Sequence, residues 1–304
     1  MNMGSWGTRL YSSDFAQDLR ALIGALARLP FAPDRIIEIL CEIEPAAAER
    51  TDDPDHSIFW LTVADQFAMR GIDCRTARER ALEIMDGGTD LAMMARLGMA
   101  EKDLAKRRKM LAELRERLAA PVAKKPRAVL KAPQPLLLHP GEALAYPMTS
   151  GQCINPYFPN KDRMRPVWRQ DSWGACVIIE CGRAFDFLAW YRPIVVERAF
   201  AEKPALAELM GQRLWYRERA GTCSKNHYLR MELQPIGTVP LDHERLAQAF
   251  QLRRVDRPAT DAANDISIAN RLNGPRLEPD QSRRRIRAQI PSIGDLAEIL
   301  TPTR

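Results

Sequence analysis

A chain of 304 residues is longer than one hydrophobic core ordinarily serves, so its length predicts two domains. An apolar share of 46% and a charged share of 28% suit a soluble globular protein, and no apolar run approaches the ~20 residues that cross a bilayer. The net charge of +6 gathers in a central Pro/Lys stretch and around Arg283-Arg284-Arg285-Ile286-Arg287, a pattern that favours solubility over a groove for nucleic acid. No cationic start followed by an apolar stretch opens the chain, so the expected compartment is cytoplasmic, with no membrane role.

The opening places Trp6 between Gly4 and Gly7, where glycines let the backbone turn and fold the indole back onto a core. Ser12, Ser13 and Asp14 then offer oxygens to cap a helix over Phe15–Leu29, whose apolar residues recur every three or four positions. Pro30 and Pro33 break that pattern, and Asp34 is expected to cap a second helix carrying Ile36, Ile37, Ile39, Leu40 and Ile43. A polar stretch from Glu49 to His56 follows Pro45. A third helix over Ser57–Arg70 holds Phe59, Trp60 and Phe67, and Gly71 stops it. Helices are also expected over Thr76–Met85, over Leu91–Leu97 with Thr89 or Asp90 as cap, and over Glu101–Leu118. The last carries an apolar stripe of Leu104, Met110, Leu111, Leu114 and Leu118. Its charged residues, Arg107 among them, read as a solvated surface.

Prolines and lysines from Pro121 to Pro135 predict an extended linker between an α-helical domain (1–120) and a β-rich domain (136–252). Strands are expected over 141–147, 174–180, 185–191, 213–218 and 228–233, with helical insertions over Lys203–Met210 and Pro240–Leu252. Residues 253–304 read as a largely irregular basic tail in which 293–300 docks a short helix. The fold class is therefore α+β: an N-terminal helical bundle, then a small, strongly bent antiparallel sheet or open barrel.

Catalytic signatures are sparse. None of the six cysteines forms a CxxC or has a histidine at finger spacing, so no metal site is expected. Cys176 and Cys181, five apart, should point to opposite faces of one strand. Phosphate-binding glycine loops are missing, and Asp52, Asp53 and Asp55 lack the glycine and glutamate of a calcium loop. Cys223 and His227 are the one pair that suggests a thiolate–imidazolium nucleophile, although nothing nearby supplies an oxyanion hole. No catalytic residue and no cofactor is assigned. Trp60, Ala64 and Phe67 share one helical stripe, which favours core packing, and Asp65 beside them is expected to hydrogen-bond the Trp6 turn.

Two stretches carry a family resemblance. MGSWGTRLYSSDFAQDLR and IFWLTVADQFAMRGIDCRTARERALEIMDGGTDL resemble bacterial proteins of the domain of unknown function 4259 family, which open Met-Gly-Thr-Trp-Gly-Thr-Gly. Arg107-Arg108-Lys109-Met110-Leu111 before a Pro-rich linker is similar as well, while Arg9 replaces the last glycine of the opening. Gly4, Trp6, Gly7, Asp14, Trp60 and Asp65 are the positions that match the family motif, and the resemblance gives them a structural role. After the linker, HPGEALAYPM and SWGACVIIECG resemble strands of immunity-protein-26-like β domains, with Glu142 where aspartate is usual. The resemblance implies a helical N-domain, a bent β C-domain and protein binding in bacterial conflict systems, with no established activity.

Aromatic residues and arginines alternate through the β-rich half. Arg169, Trp173, Arg183, Phe187, Trp190 and Arg192 are the expected partner-binding residues, since both types are enriched in interface hot spots. The sequence thus points to a non-catalytic protein-binding module of an immunity-like or regulatory system, its partner another protein. Nucleic-acid binding through the same face and the basic tail is the alternative, because rings and arginines also suit single strands. A cysteine-dependent enzyme is the third reading.

Overall fold

Proline and glycine punctuate the first 120 residues, and the helices begin and end around them. The computed structural model describes residues 7–120, 127–157, 169–216, 220–242, 244–246, 262, 265–273 and 293–296. Its fold is α+β, and the chain divides into two units, Met1–Lys131 and Ala132–Arg304.

In the first unit, α1 (Asp14–Leu26) is capped by Ser13, whose hydroxyl accepts the Ala16 N–H at 3.2 Å. Helix α2 (Pro33–Ile43) starts on a proline at its first position, where a missing N–H costs nothing, so Ala32 and not Asp34 is the cap. Pro45 opens a further short helix, α3 (Pro45–Glu49), ahead of the polar stretch, where the sequence placed no element. The carbonyls of α3 take up side chains of α4 (His56–Met69): Trp60 Nε1 donates to Ala48 at 3.1 Å, and His56 Nδ1 bonds Ala47 at 2.8 Å.

Every residue of α4 from Ser57 to Phe67 is buried, so this helix is the axis of the unit. It ends as expected. Gly71, at φ +66°, turns the chain so that the Ile72 N–H reaches the Phe67 carbonyl at 2.9 Å. Then come α5 (Arg75–Asp86), α6 (Thr89–Arg96) and α7 (Glu101–Ala119). Gly88, left-handed at φ +65°, occupies the cap of α6, which displaces Thr89 and Asp90 into the helix.

Arg107 corrects the solvated-surface reading of α7. Its Nε and Nη2 meet the two oxygens of Asp90 at 2.6 and 2.8 Å, and both side chains are at most 2% exposed. Nη1 also donates to the Gly7 carbonyl at 3.3 Å. A Cβ on Gly7 would lie 2.5 Å from Ser12 Cβ, so the glycine is sterically required there.

The expected extended linker is partly bound structure. Within the first unit, the Leu130 N–H donates to Arg28 at 2.7 Å, and Arg127 Nη2 donates to the Leu29 and Phe31 carbonyls. Within the second, the Gln134 N–H donates to Phe187 at 2.9 Å and Leu137 N–H to the Tyr191 hydroxyl at 2.8 Å. Proline-rich chain lacks donors, so these few remaining N–H groups and one guanidinium do the anchoring.

In the second unit, β1 (Glu142–Thr149), β2 (Gln152–Cys153), β3 (Ser172–Ala184), β4 (Leu188–Val196), β5 (Arg213–Tyr216), β6 (Gln234–Thr238) and β7 (Ile293–Asp295) form one sheet. Its order is β2-β1-β3-β4-β5-β7, with β6 also on β1, and every strand pair is antiparallel. Both faces are buried. Leu144, Tyr146, Cys176, Ile178 and Tyr191 pack on one, and Ala143, Val177, Ile179, Ile194 and Val196 on the other.

A bulge in β3 between Ile178 and Glu180 reverses the alternation beyond it. Cys181 therefore packs against the same core as Cys176, contrary to the expected opposite faces. Phe185 and Asp186 sit at φ +52° and +62° in the β3–β4 turn, so the strand expected from 185 begins at Leu188. The strand expected over 228–233 is instead helix α8 (Lys225–Arg230), because Ser224 Oγ accepts the His227 N–H at 3.1 Å and starts a turn. The insertion over Lys203–Met210 is a single 3-10 turn, Leu206–Leu209.

The irregular-tail reading is corrected where the chain is described. Residues Ala269–Leu272 form α9, which buries Ala269 and Leu272. Ile293–Asp295 is a strand paired with β5, where a short docked helix was expected, and Leu296 enters the core. The basic run 283–287 and most of 247–264 lie outside the described residues.

Removing one partner of a buried ion pair strands the other charge, at a cost of about 3–5 kcal/mol. Arg107→Met should lose stability of that order in urea unfolding, and Arg107→Met/Asp90→Leu should recover most of it. Equal stability of both variants would contradict this account of the Arg107–Asp90 pair.

Candidate functional site

Asp65 is the one ionisable side chain in the buried stretch Ser57–Phe67 of α4. It is 2% exposed, and its carboxylate accepts the Tyr11 hydroxyl and Arg117 Nη2, the latter at 2.6 Å. Gln66 Nε2 donates to the same hydroxyl, Arg70 Nη1 donates to Gln66 Oε1, and the Arg20 guanidinium lies 5.1 Å from the Tyr11 ring centroid. Burial, and then the hydrogen bond to Asp65, push the Tyr11 hydroxyl above its ordinary pKa, so it remains a proton donor. Among the described residues Asp65 is thus bound to Tyr11 and Arg117, and the Trp6 of its expected partner turn lies outside them. Gly4 and Trp6 lie outside the described residues, and the Gly7 carbonyl is taken by Arg107. Asp14 is the exposed first residue of α1, and Trp60 is a buried core ring.

Two depressions flank Arg117. One, of about 440 Å³, lies over Tyr11 and Asp65 and is lined by Arg9, Lys106, Lys109 and Arg117. The other, of about 230 Å³, is lined by Phe67, Ile72, Cys74, Ala77 and Leu118, with Met69 at its edge 65% exposed. Lys106, Lys109, Glu113 and Arg117 recur every three or four residues, so one face of α7 presents them. Sequence reasoning missed Tyr11, Arg117 and Met69 as site residues. The spacing along α7 was the one legible sign.

The residues expected to form a partner-binding face are dispersed. Trp190 and Arg192 do share a face of β4, but they are only 9% and 6% exposed. Arg192 pairs with Glu180 and lies 5.7 Å from the Trp190 ring centroid, while the indole covers Gly182, where a Cβ would come within 2.8 Å. Arg183 is exposed and donates to the Gln134 carbonyl at 2.8 Å. Phe187 lies in the hairpin turn, Trp173 near the opposite end of β3 packs against the second core, and Arg169 is exposed ahead of that strand. Trp168 lies outside the described residues.

Cys223 is buried, which pushes its thiol up to about 12, opposite to what a nucleophilic thiolate requires. His227 packs edge-on to Tyr157 with centroids 5.1 Å apart, and burial lowers its pKa, which disfavours the imidazolium. Cys153 and Cys176 are pushed up by burial as well, and all six cysteines are free thiols. Among the described residues no three His, Cys, Asp or Glu side chains are placed to hold a metal. In the acidic loop, Asp52 pairs with Arg50 at 3.2 Å and Asp53 accepts the Asp55 N–H at 2.9 Å. No family model, no curated protein and no solved structure matches the chain.

Asp55 has one buried carboxylate oxygen without a partner, and burial, then Asp53 and Glu44, raise its pKa from 3.8 to about 6. A raised pKa means that the protonated form favours folding; its contribution is full below pH 4 and lost as pH rises through 6. Asp55→Asn should therefore raise the melting temperature at pH 7 and leave it unchanged near pH 4, and the same increment at both would refute this. Cys223 should resist iodoacetamide at pH 8 in the folded protein, with mass spectrometry finding it alkylated only on unfolding.

Proposed function

We propose that this chain is a non-catalytic protein-binding module of a bacterial, cytoplasmic, immunity-like or regulatory system. The observation that carries the reading is the apolar groove of the helical unit, with exposed Met69 at its edge and Arg117 beside it. Methionine adapts to irregular partner surfaces, and an apolar pocket edged by arginine is the usual setting of an interface hot spot. Among the described residues Met69 and Leu229 are the most exposed large hydrophobic side chains, and of the two it is Met69 that borders an apolar groove.

The contact surface moves from the strands to the helices on this reading. Trp190 and Arg192 are buried against Gly182 and Glu180, whereas the groove beside Arg117 is open. The raised thiol of Cys223 speaks against the cysteine-dependent enzyme. No helix among the described residues is long and apolar enough to cross a membrane.

Affinity capture of the tagged full-length chain from a nuclease-treated bacterial lysate tests the proposal. A stoichiometric protein held by the wild type and by Arg183→Ala, but lost from a folded Met69→Asp variant, is the expected outcome. Recovery of nucleic acid alone without nuclease, or a partner indifferent to Met69→Asp, would overturn it.

A further inference from the structure

The cleft over Asp65 and the apolar groove are two halves of one surface, because Arg117 lines both. From Lys106 to Leu118 the surface runs about 18 Å along α7, at ~1.5 Å per helical residue. One end is cationic. Arg9, Lys106, Lys109 and Arg117 face two acids, Asp65 and Glu113, and Asp65 is already matched by Arg117 and Tyr11. Lys106 pairs with Asp103 at 2.7 Å, whereas Arg9 and Lys109 form no ion pair among the described residues. The other end is mostly apolar, from Phe67 and Met69 to Leu118, and its two further charges, Asp73 and Arg78, pair with each other at 3.7 Å.

We infer that this composite surface receives an acidic peptide segment of a partner protein, with carboxylates over Arg9 and Lys109 and apolar anchors in the groove beside Met69. The inference rests on the protein-binding reading and names the chemistry of the partner. Charge complementarity supplies the argument: an excess of unmatched cations at one end selects carboxylates and steers their approach. The half-exposed Arg117 guanidinium spends one nitrogen on the buried Asp65, and no other hydrogen bond of its side chain is seen among the described residues.

Nucleic acid fits less well. Among the described residues that line the cationic cleft Tyr11 is the one ring, and its hydroxyl is bound to Asp65 while Arg20 lies 5.1 Å from its centroid, so it is a poor stacking platform for a base. The mostly apolar groove beyond Arg117 suits the side chains of a peptide better than a phosphate backbone.

Selection of a random twelve-residue peptide library against the folded full-length chain tests the inference. Enriched peptides should combine Asp or Glu with Leu, Phe or Met. A folded Arg9→Glu/Lys109→Glu variant should bind them about tenfold more weakly at low salt, with the gap narrowing at high salt as screening grows. Met69→Asp should also weaken them, and peptides with Lys in place of their acids should prefer the charge-reversed variant. Enriched peptides without acidic bias, or indifferent to Arg9 and Lys109, would overturn the inference while leaving the chain a binding module. A lysate partner lost with Met69→Asp but insensitive to Arg9→Glu/Lys109→Glu would do the same, whereas a library that yields no peptide overturns the inference outright.

Discussion

A helix buried on every side has no solvent face on which to put a charge, and this constraint organises the helical unit. Helix α4 is enclosed from Ser57 to Phe67 yet carries Asp65. An isolated carboxylate in such a place costs several kcal/mol unless it is paired and hydrogen-bonded. Tyr11 and Arg117 meet that demand and in doing so fix two other parts of the chain. Asp90 and Arg107 repeat the device on α6 and α7. The segment 7–11 is thereby held at two points, its Gly7 carbonyl by Arg107 and its Tyr11 hydroxyl by Asp65. Helix α7 is the common member of both arrangements, so its cationic face is set where the two depressions meet.

The sheet unit is governed by a different constraint, the two-residue period of a strand. With both faces buried, a one-residue insertion decides which core each later side chain joins. The bulge in β3 is such an insertion. It brings Cys181 round to the Cys176 side and sets Glu180 opposite Arg192. The glycine at 182 then leaves room for the Trp190 ring to lie flat on the strand. An arginine and a tryptophan that look interface-like in sequence are thus consumed by packing.

How much of this was legible in the sequence depends on how local the cause is. Helices α1, α2, α5 and α7 follow from apolar spacing and their flanking prolines and glycines, and the Gly71 stop follows from its left-handed φ. The segment 228–233 alternates like a strand, but a serine cap at Ser224 drew its first half, up to Arg230, into a helix, and caps outweigh alternation over so few residues. Arg107 sits among charged neighbours, so nothing nearby marks it as buried; its partner Asp90 is 17 residues away. Asp65 finds Tyr11 at a separation of 54 residues and Arg117 at 52, beyond any spacing rule. The strand at 293–295 is anchored by backbone pairing with β5, which no side-chain pattern announces.

The same asymmetry of burial divides the labour of the charges in the candidate site. Asp65 is 2% exposed and fully engaged, so it is poorly placed to exchange protons with a ligand. Arg117 is 54% exposed and uses a single nitrogen on Asp65 among the described residues. An anionic ligand can therefore add hydrogen bonds to Arg117 without taking it from the acid it neutralises. That division confines the desolvation cost to the interior, where it is already met, and leaves the surface charge free to act on a partner. Chemistry would need the reverse arrangement: an accessible acid or thiol with a pKa displaced toward neutrality. Burial pushes Cys223 away from that range, and the open side of the cleft carries the cations Arg9, Lys106, Lys109 and Arg117.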